Sequence, residues 1–178
     1  MEQISVIAAV HHPLRRRIFD HLLVHGPCQV GAIARALDVQ VGSISHHLRM
    51  LQRSEVVEHV DDPSGDRRTS WWRLRRRSFT WAETDFASPA DRLLAREAQR
   101  ANIRHQIDLL QRWNRISRDS EVEAFSTDSL KRATPAELAD LGARLNALLD
   151  DWGAGIDEDD GQDRIPVFFF AHGFPADV

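Results

Sequence analysis

Residues 37–51 read LDVQVGSISHHLRML, and this stretch decides the fold. Ile44, Leu48 and Leu51 recur at spacings of four and three residues, which places them on one face of an α-helix. The pattern therefore predicts a helix that begins near Val41 and buries this apolar stripe against the rest of the protein.

The opposite face of the predicted helix is short, polar and cationic. Small side chains permit close approach to a DNA major groove, where Arg, Ser and His meet base edges and phosphates. A solvated helix face has a similar composition, so the neighbouring segments must decide between the two interpretations. The residues of this stretch that we predict to contact DNA are Gln40, Gly42, Ser43, Ser45, His46, Arg49 and Arg53.

Further helices are predicted before this stretch. A short amphipathic helix starts at Ile4, and a longer one spans 13–25, with proline in its first position and Gly-Pro at its end. A third helix spans 30–37, and only residues 38–40 separate it from the helix near Val41. Two helices joined by so tight a turn form a helix-turn-helix.

After the helix-turn-helix the apolar pattern alternates. Residues 56–60 and 67–74 are typical of two β-strands, and the polar residues 61–66 between them are typical of a turn. A hairpin directly behind a helix-turn-helix is a wing. We predict that Arg67 and Arg68 contact backbone phosphates or the adjacent minor groove, the alternative being two solvated surface arginines.

Residues 8–74 resemble the winged helix-turn-helix of the arsenical-resistance-repressor (ArsR) family of bacterial regulators. The resemblance is carried, in order and spacing, by residues 12–18 (HPLRRRI), 30–37 (VGAIARAL) and 43–51 (SISHHLRML). It implies a homodimeric, sequence-specific DNA-binding regulator, most often a repressor, that binds an inverted repeat. It also implies groove contacts from Ser43, Ser45, His46 and Arg49 and an orienting role for His47.

The chain departs from the family pattern at several positions. Gln40 stands where the family usually has a capping serine, and Gly42 in the first helical turn costs up to about 1 kcal/mol relative to alanine. Metal sensors of the family carry a Cys-x-Cys pair before the turn. Here the matching positions are Gln29 and Gly31, beside a solitary Cys28, so the sequence predicts no metal and no cofactor.

Histidine spacing leaves a metal site as the alternative. His21 and His25 are four residues apart on one predicted helix, and His11, His12 and His105 are candidates for further ligands. The competing interpretation is that His25 stabilises the C-terminus of its helix and that His21 is a surface residue.

Composition and charge restrict the function further. The 178 residues contain one cysteine and no apolar run long enough to span a bilayer, so we expect a cytoplasmic protein without disulfides and without membrane contact. Residues 1–81 carry a net charge of +4 and residues 82–178 one of −8, so the basic half is the one suited to a polyanion. Arg15, Arg16 and Arg17 are predicted to face outward. No catalytic motif is present, and an enzyme is not predicted.

The second half of the chain is predicted to be a helical extension. Ser88 and Pro89 start a helix that runs to about Ile116, and its apolar stripe predicts pairing with a second copy; packing within its own chain is the alternative. A further helix follows Thr134 and ends at Gly153, before an acidic linker (157–161) and an apolar tail (164–170) that we expect to fold back as an extended segment or edge strand.

Together these patterns predict a mostly α protein with a small β-hairpin wing, an α+β winged helix-turn-helix, plus a C-terminal helical extension. The predicted domains are a DNA-binding domain over 1–81 and a dimerisation or ligand region over 82–178. The predicted partners are double-stranded DNA and a second copy held through the N-terminal helix and the 89–116 helix. A small-molecule effector and a winged helix used only for protein association stay open as alternatives.

Overall fold

A computed structural model describes residues 4–61, 70–79, 81–117, 124–157 and 159–176. It divides into two compact units, Met1–Arg118 and Asp119–Val178. The described helices are α1 (Ile4–Val10), α2 (Pro13–His25), α3 (Val30–Leu37), α4 (Val41–Arg53), α5 (Pro89–Ile116) and α6 (Pro135–Ala154), and the described strands are β1 (Cys28–Gln29), β2 (Val57–Val60) and β3 (Trp71–Leu74).

The strands form a small antiparallel sheet in the order β1-β3-β2. Val57 pairs with Leu74 and Val60 with Trp71, which confirms the predicted hairpin with strands shorter than expected. Strand β1 was not predicted, because two residues are too few to show an alternating pattern. The mostly α winged helix-turn-helix is confirmed, whereas Arg67 and Arg68 lie outside the described residues.

The apolar stripe of α4 fills the centre of the N-terminal unit. Ile44, Leu48 and Leu51 are fully buried, as the spacing predicts. Hydrophobic burial against several elements at once fixes the orientation of α4 and turns its polar side outward. The other buried members of this core include Ile18, Leu22, Ile33, Val56, Val57 and Trp72.

Helix α5 belongs to the N-terminal unit. Ser88 caps its first turn by accepting a hydrogen bond from the backbone N–H of Asp91 at 3.5 Å. Ala95 and Ala98 are buried in one cluster with Ile7 of α1. The compact units divide between residues 118 and 119. The DNA-binding domain over 1–81 and the dimerisation or ligand region over 82–178 stay predictions.

The C-terminal unit is built on α6. Thr134 and Glu137 form a reciprocal capping box at its start, as the sequence predicts. No residue of α6 is buried. The apolar tail (164–170) forms no strand, because the described part of this unit offers no strand to pair with, so the edge-strand alternative is not seen. Gly173, just after the tail, lies against the side chain of Leu138, so the chain folds back onto α6 as expected. None of the described helices is both long and apolar enough to cross a membrane.

Candidate nucleic-acid interface

A tight turn sets the angle between α3 and α4. Asp38 adopts the left-handed conformation, with φ 51° and ψ 54°, which Asp tolerates better than most residues. The backbone N–H of Val39 then donates to the carbonyl of Ala34 at 3.0 Å, and this bond closes the turn. The side chain of Gln40 makes no capping hydrogen bond at the start of α4, in keeping with its departure from the family's serine.

The predicted DNA-contacting residues of α4 lie together on its outer side. Ser43 and Ser45 are half-buried at the edges of this side, and an added Cβ at Gly42 would meet no heavy atom within 4 Å. Among the residues that the structure describes, the guanidinium groups of Arg49 and Arg53 have neither a hydrogen bond nor an ion pair. The exposed members of the predicted set are Gln40, Gly42, His46, Arg49 and Arg53, and we call this set, with its two serines, the outer face of α4.

Two histidine rings lie behind the outer face. The ring centroid of His47 is 4.9 Å from that of His12 at the start of α2, and 5.3 Å from that of His46. Burial lowers the pKa of His47, and the electrostatic effects of His12, Arg15 and His46 lower it further. The orienting role that the family resemblance implies for His47 stays a prediction.

Arg15, predicted from the sequence to face outward, is instead a buried structural residue. Its side chain is only 8% exposed. The Nε group donates to the carbonyl of Ala9 at 2.5 Å, and an Nη group donates to that of Ala8 at 3.2 Å, so Arg15 caps the C-terminal end of α1. A second Nη group lies 3.6 Å from Sδ of Met50 in α4. Arg15 therefore joins α1, α2 and α4.

The helical spacing of α2 could have predicted from the sequence that Arg15 is buried. Arg15 precedes the buried residues Phe19 and Leu22 by four and seven positions and thus shares their face. Arg16 instead lies at the boundary and pairs with Asp20 at 2.8 Å, and Arg17 is exposed and donates to the carbonyl of Leu37 at 2.7 Å. Only Arg17 of the three faces fully outward.

The described arginines of the wing pair with acidic residues of the same unit. Arg73 pairs with Glu58 across the two strands at 2.6 Å. Arg75 lies 3.6 Å from Glu58 and 3.8 Å from Glu55. These pairs reduce the local positive charge, so the described part of the wing offers less to a phosphate than its arginine content suggests.

The histidines of the metal alternative do not form a ligand set of three or more within the described residues. The rings of His21 and His25 are 4.4 Å apart, but the part of the chain that the structure describes contains no group of three or more His, Cys, Asp or Glu arranged to hold a metal ion. His105 Nε2 lies 2.9 Å from Asp20, and burial lowers the pKa of His11 to about 4. Burial also raises the pKa of the Cys28 thiol, which disfavours the thiolate form that binds soft metals.

Known proteins with a similar sequence include helix-turn-helix regulators of transcription. Residues 10–60 match the family model of a helix-turn-helix domain. The chain is 42% identical over 53 residues to the transcriptional repressor SdpR of Bacillus subtilis and, likewise, to the HTH-type transcriptional regulator Rv2034 of Mycobacterium tuberculosis. The matched segment is 30% of this chain and 58% and 48% of those relatives, so the chain spans about half of their length.

A solved structure of ZitR from Lactococcus lactis is similar at 16% identity, covering 77% of this chain and 80% of that chain, with a TM-score of 0.34. The sequence matches confirm the resemblance to ArsR-like winged helix-turn-helix regulators for residues 10–60.

Proposed function

We propose that this protein is a DNA-binding transcriptional regulator that acts as a homodimeric repressor in the cytoplasm. The observation that carries the proposal is the outer face of α4, which presents Arg49 and Arg53 beside Gly42 on a helix-turn-helix. Cations and small residues on a rigid helix are what the major groove accepts, because the helix must approach closely to read base edges.

The two units differ strongly in charge. Met1–Arg118 carries 19 Lys or Arg against 13 Asp or Glu, whereas Asp119–Val178 carries 4 against 14. The N-terminal unit is thus the one that a polyanion attracts, and the acidic unit is repelled by it. Binding driven by phosphate contacts releases counterions, so its affinity should fall steeply as salt is added.

The dimer is proposed to form chiefly through α5. Ile103, Ile107 and Leu110 lie on one side of α5 and are 38%, 47% and 54% exposed. Exposed apolar side chains in a row on one helix favour association with another apolar surface. The N-terminal helix, also proposed to hold the second copy, has less apolar surface to offer, because Val6, Ile7 and Val10 of α1 are buried within their own chain.

A dimer on a twofold axis would place two α4 helices in successive major grooves about 34–36 Å apart, so the preferred site is an inverted repeat. A repressor of this kind occupies a promoter and blocks polymerase. Selection of bound sequences from a random DNA pool, followed by a footprint on the selected site, tests this directly.

The matched variants for this experiment are Arg49→Ala and Arg144→Ala. Both remove one exposed arginine, but Arg144 lies on α6 and pairs with Asp140. We expect Arg49→Ala to weaken binding to the selected site by about tenfold or more and Arg144→Ala to leave it unchanged. A folded protein that enriches no sequence contradicts the proposal and leaves the winged helix as a protein-association module.

A further inference from the structure

A cavity of about 420 Å³ lies between the segment that follows the wing and the outer side of α5. Its volume is in the range of small-molecule sites in proteins. It lies within the N-terminal unit, apart from the outer face of α4. The lining residues that matter for its chemistry are Trp81, Glu83, Ala95, Arg96, Gln99 and Arg100.

The apolar part of the cavity is formed by the indole ring of Trp81 and by Ala95. Trp81 is half-buried, and its ring is held by His11 at 5.9 Å and Phe86 at 6.4 Å between ring centroids. Ala95 is fully buried and contributes only a methyl group. A held aromatic ring beside a small side chain leaves room for a flat ring to stack.

The polar part of the cavity has more cationic than anionic groups. Glu83 pairs with Arg96 at 2.7 Å, so one guanidinium is already neutralised. Arg100 pairs at 2.7 Å with Glu97, which does not line the cavity, and both of these side chains are more than half exposed. An exposed pair of this kind contributes little, so a ligand carboxylate competes for Arg100 with small loss.

We propose that this cavity binds a small planar aromatic carboxylate. The ring stacks beside Trp81, while the carboxylate accepts hydrogen bonds from the Arg100 guanidinium and the Gln99 amide. Because Arg100 can exchange its exposed partner Glu97 for the ligand carboxylate, the site favours the anion over a neutral compound of the same shape.

A ligand in the cavity would lie next to residues that pack α1 against α5. Trp81 touches His11 at the end of α1, and Ala95 is buried in the same cluster as Ile7 of α1. A bound ring therefore changes the packing between α1 and α5, the helix proposed above to hold the dimer. This consequence for DNA affinity rests on the proposed function, whereas the binding site itself does not.

Isothermal titration calorimetry on the full chain tests the site, with 2-naphthoate as the probe and neutral 2-naphthamide as the matched compound. We expect 2-naphthoate to bind and 2-naphthamide to bind at least about tenfold more weakly, the factor that one charge-assisted hydrogen bond supplies. Arg100→Gln should lose the same factor for 2-naphthoate. Arg112→Gln, an exposed arginine on the same helix outside the cavity, should lose nothing.

Three results would overturn the site: no heat with 2-naphthoate, equal affinity for the two compounds, or equal losses in the two variants. The regulatory consequence is tested separately by titrating the selected DNA with and without saturating 2-naphthoate, where we expect a change in affinity of about fivefold or more. Binding of 2-naphthoate with unchanged DNA affinity refutes the coupling alone. Binding of 2-naphthoate by a protein that recognises no DNA refutes the proposed function and leaves the site standing.

Discussion

Replacing Arg15 by alanine is expected to destabilise the N-terminal unit by about 3 kcal/mol or more. The change removes two hydrogen bonds from a charged donor to the carbonyls of Ala8 and Ala9. Hydrogen bonds from charged groups contribute roughly 1.5–3 kcal/mol each, and relief from burying the charge offsets part of the sum. The lost side chain also leaves a space beside Met50, which adds to the cost.

Arg17→Ala is the matched control. Arg17 also donates to a carbonyl at the end of a helix, that of Leu37, but its side chain is exposed, so we expect a loss below about 1 kcal/mol. Urea unfolding of the three proteins, followed by circular dichroism, gives the free energies of unfolding. If Arg15→Ala and Arg17→Ala lose the same small amount, burial of Arg15 does not hold α1 and α2 together as argued.

Three further predictions concern the recognition helix, the core and the dimer. Gly42→Ala should raise the free energy of unfolding by up to about 1 kcal/mol, because the added methyl meets nothing within 4 Å, and should weaken DNA binding, because that methyl enters the groove; a gain in affinity would contradict the placement of Gly42 at the DNA. Burial lowers the pKa of His11 from its ordinary 6.5 to about 4, so the protein should lose roughly 3 kcal/mol of stability as the pH falls from above 6.5 to below 4. Urea unfolding of His11→Gln should show a shallower loss over that window. Ile107→Glu should convert the dimer to a monomer in analytical ultracentrifugation while leaving the helix content unchanged, and a persistent dimer would show that α5 is not the interface.

Much of the N-terminal unit follows from local sequence signals. Apolar spacing, the proline at the start of α2 and the short 38–40 turn predict the helix-turn-helix, and α3 and α4 begin and end as expected. The start of α5 follows from Ser88 and Pro89. These signals work because each depends on residues within a few positions of one another.

What could not be predicted depends on contacts between distant residues. Strand β1 exists only because Cys28 and Gln29 pair with Trp72 and Trp71, far along the chain. The same holds for α5, whose burial against Ile7 places it in the N-terminal unit although its composition suggests a separate region. Of the two forms expected for the tail, an extended segment or an edge strand, the structure shows no strand, since pairing requires a partner strand.

The arginines show why charge counts alone overestimate a DNA-binding surface. Arg15 is buried where it caps the end of α1, and acidic residues of the same unit neutralise the charges of Arg73 and Arg75. A carboxylate beside a paired arginine also repels an approaching phosphate, so such a pair attracts DNA less than an unpaired guanidinium does. Within the described residues, Arg49 and Arg53 have no such partner and lie on the outer face of α4, so each should contribute more to the salt dependence of binding than Arg73 or Arg75.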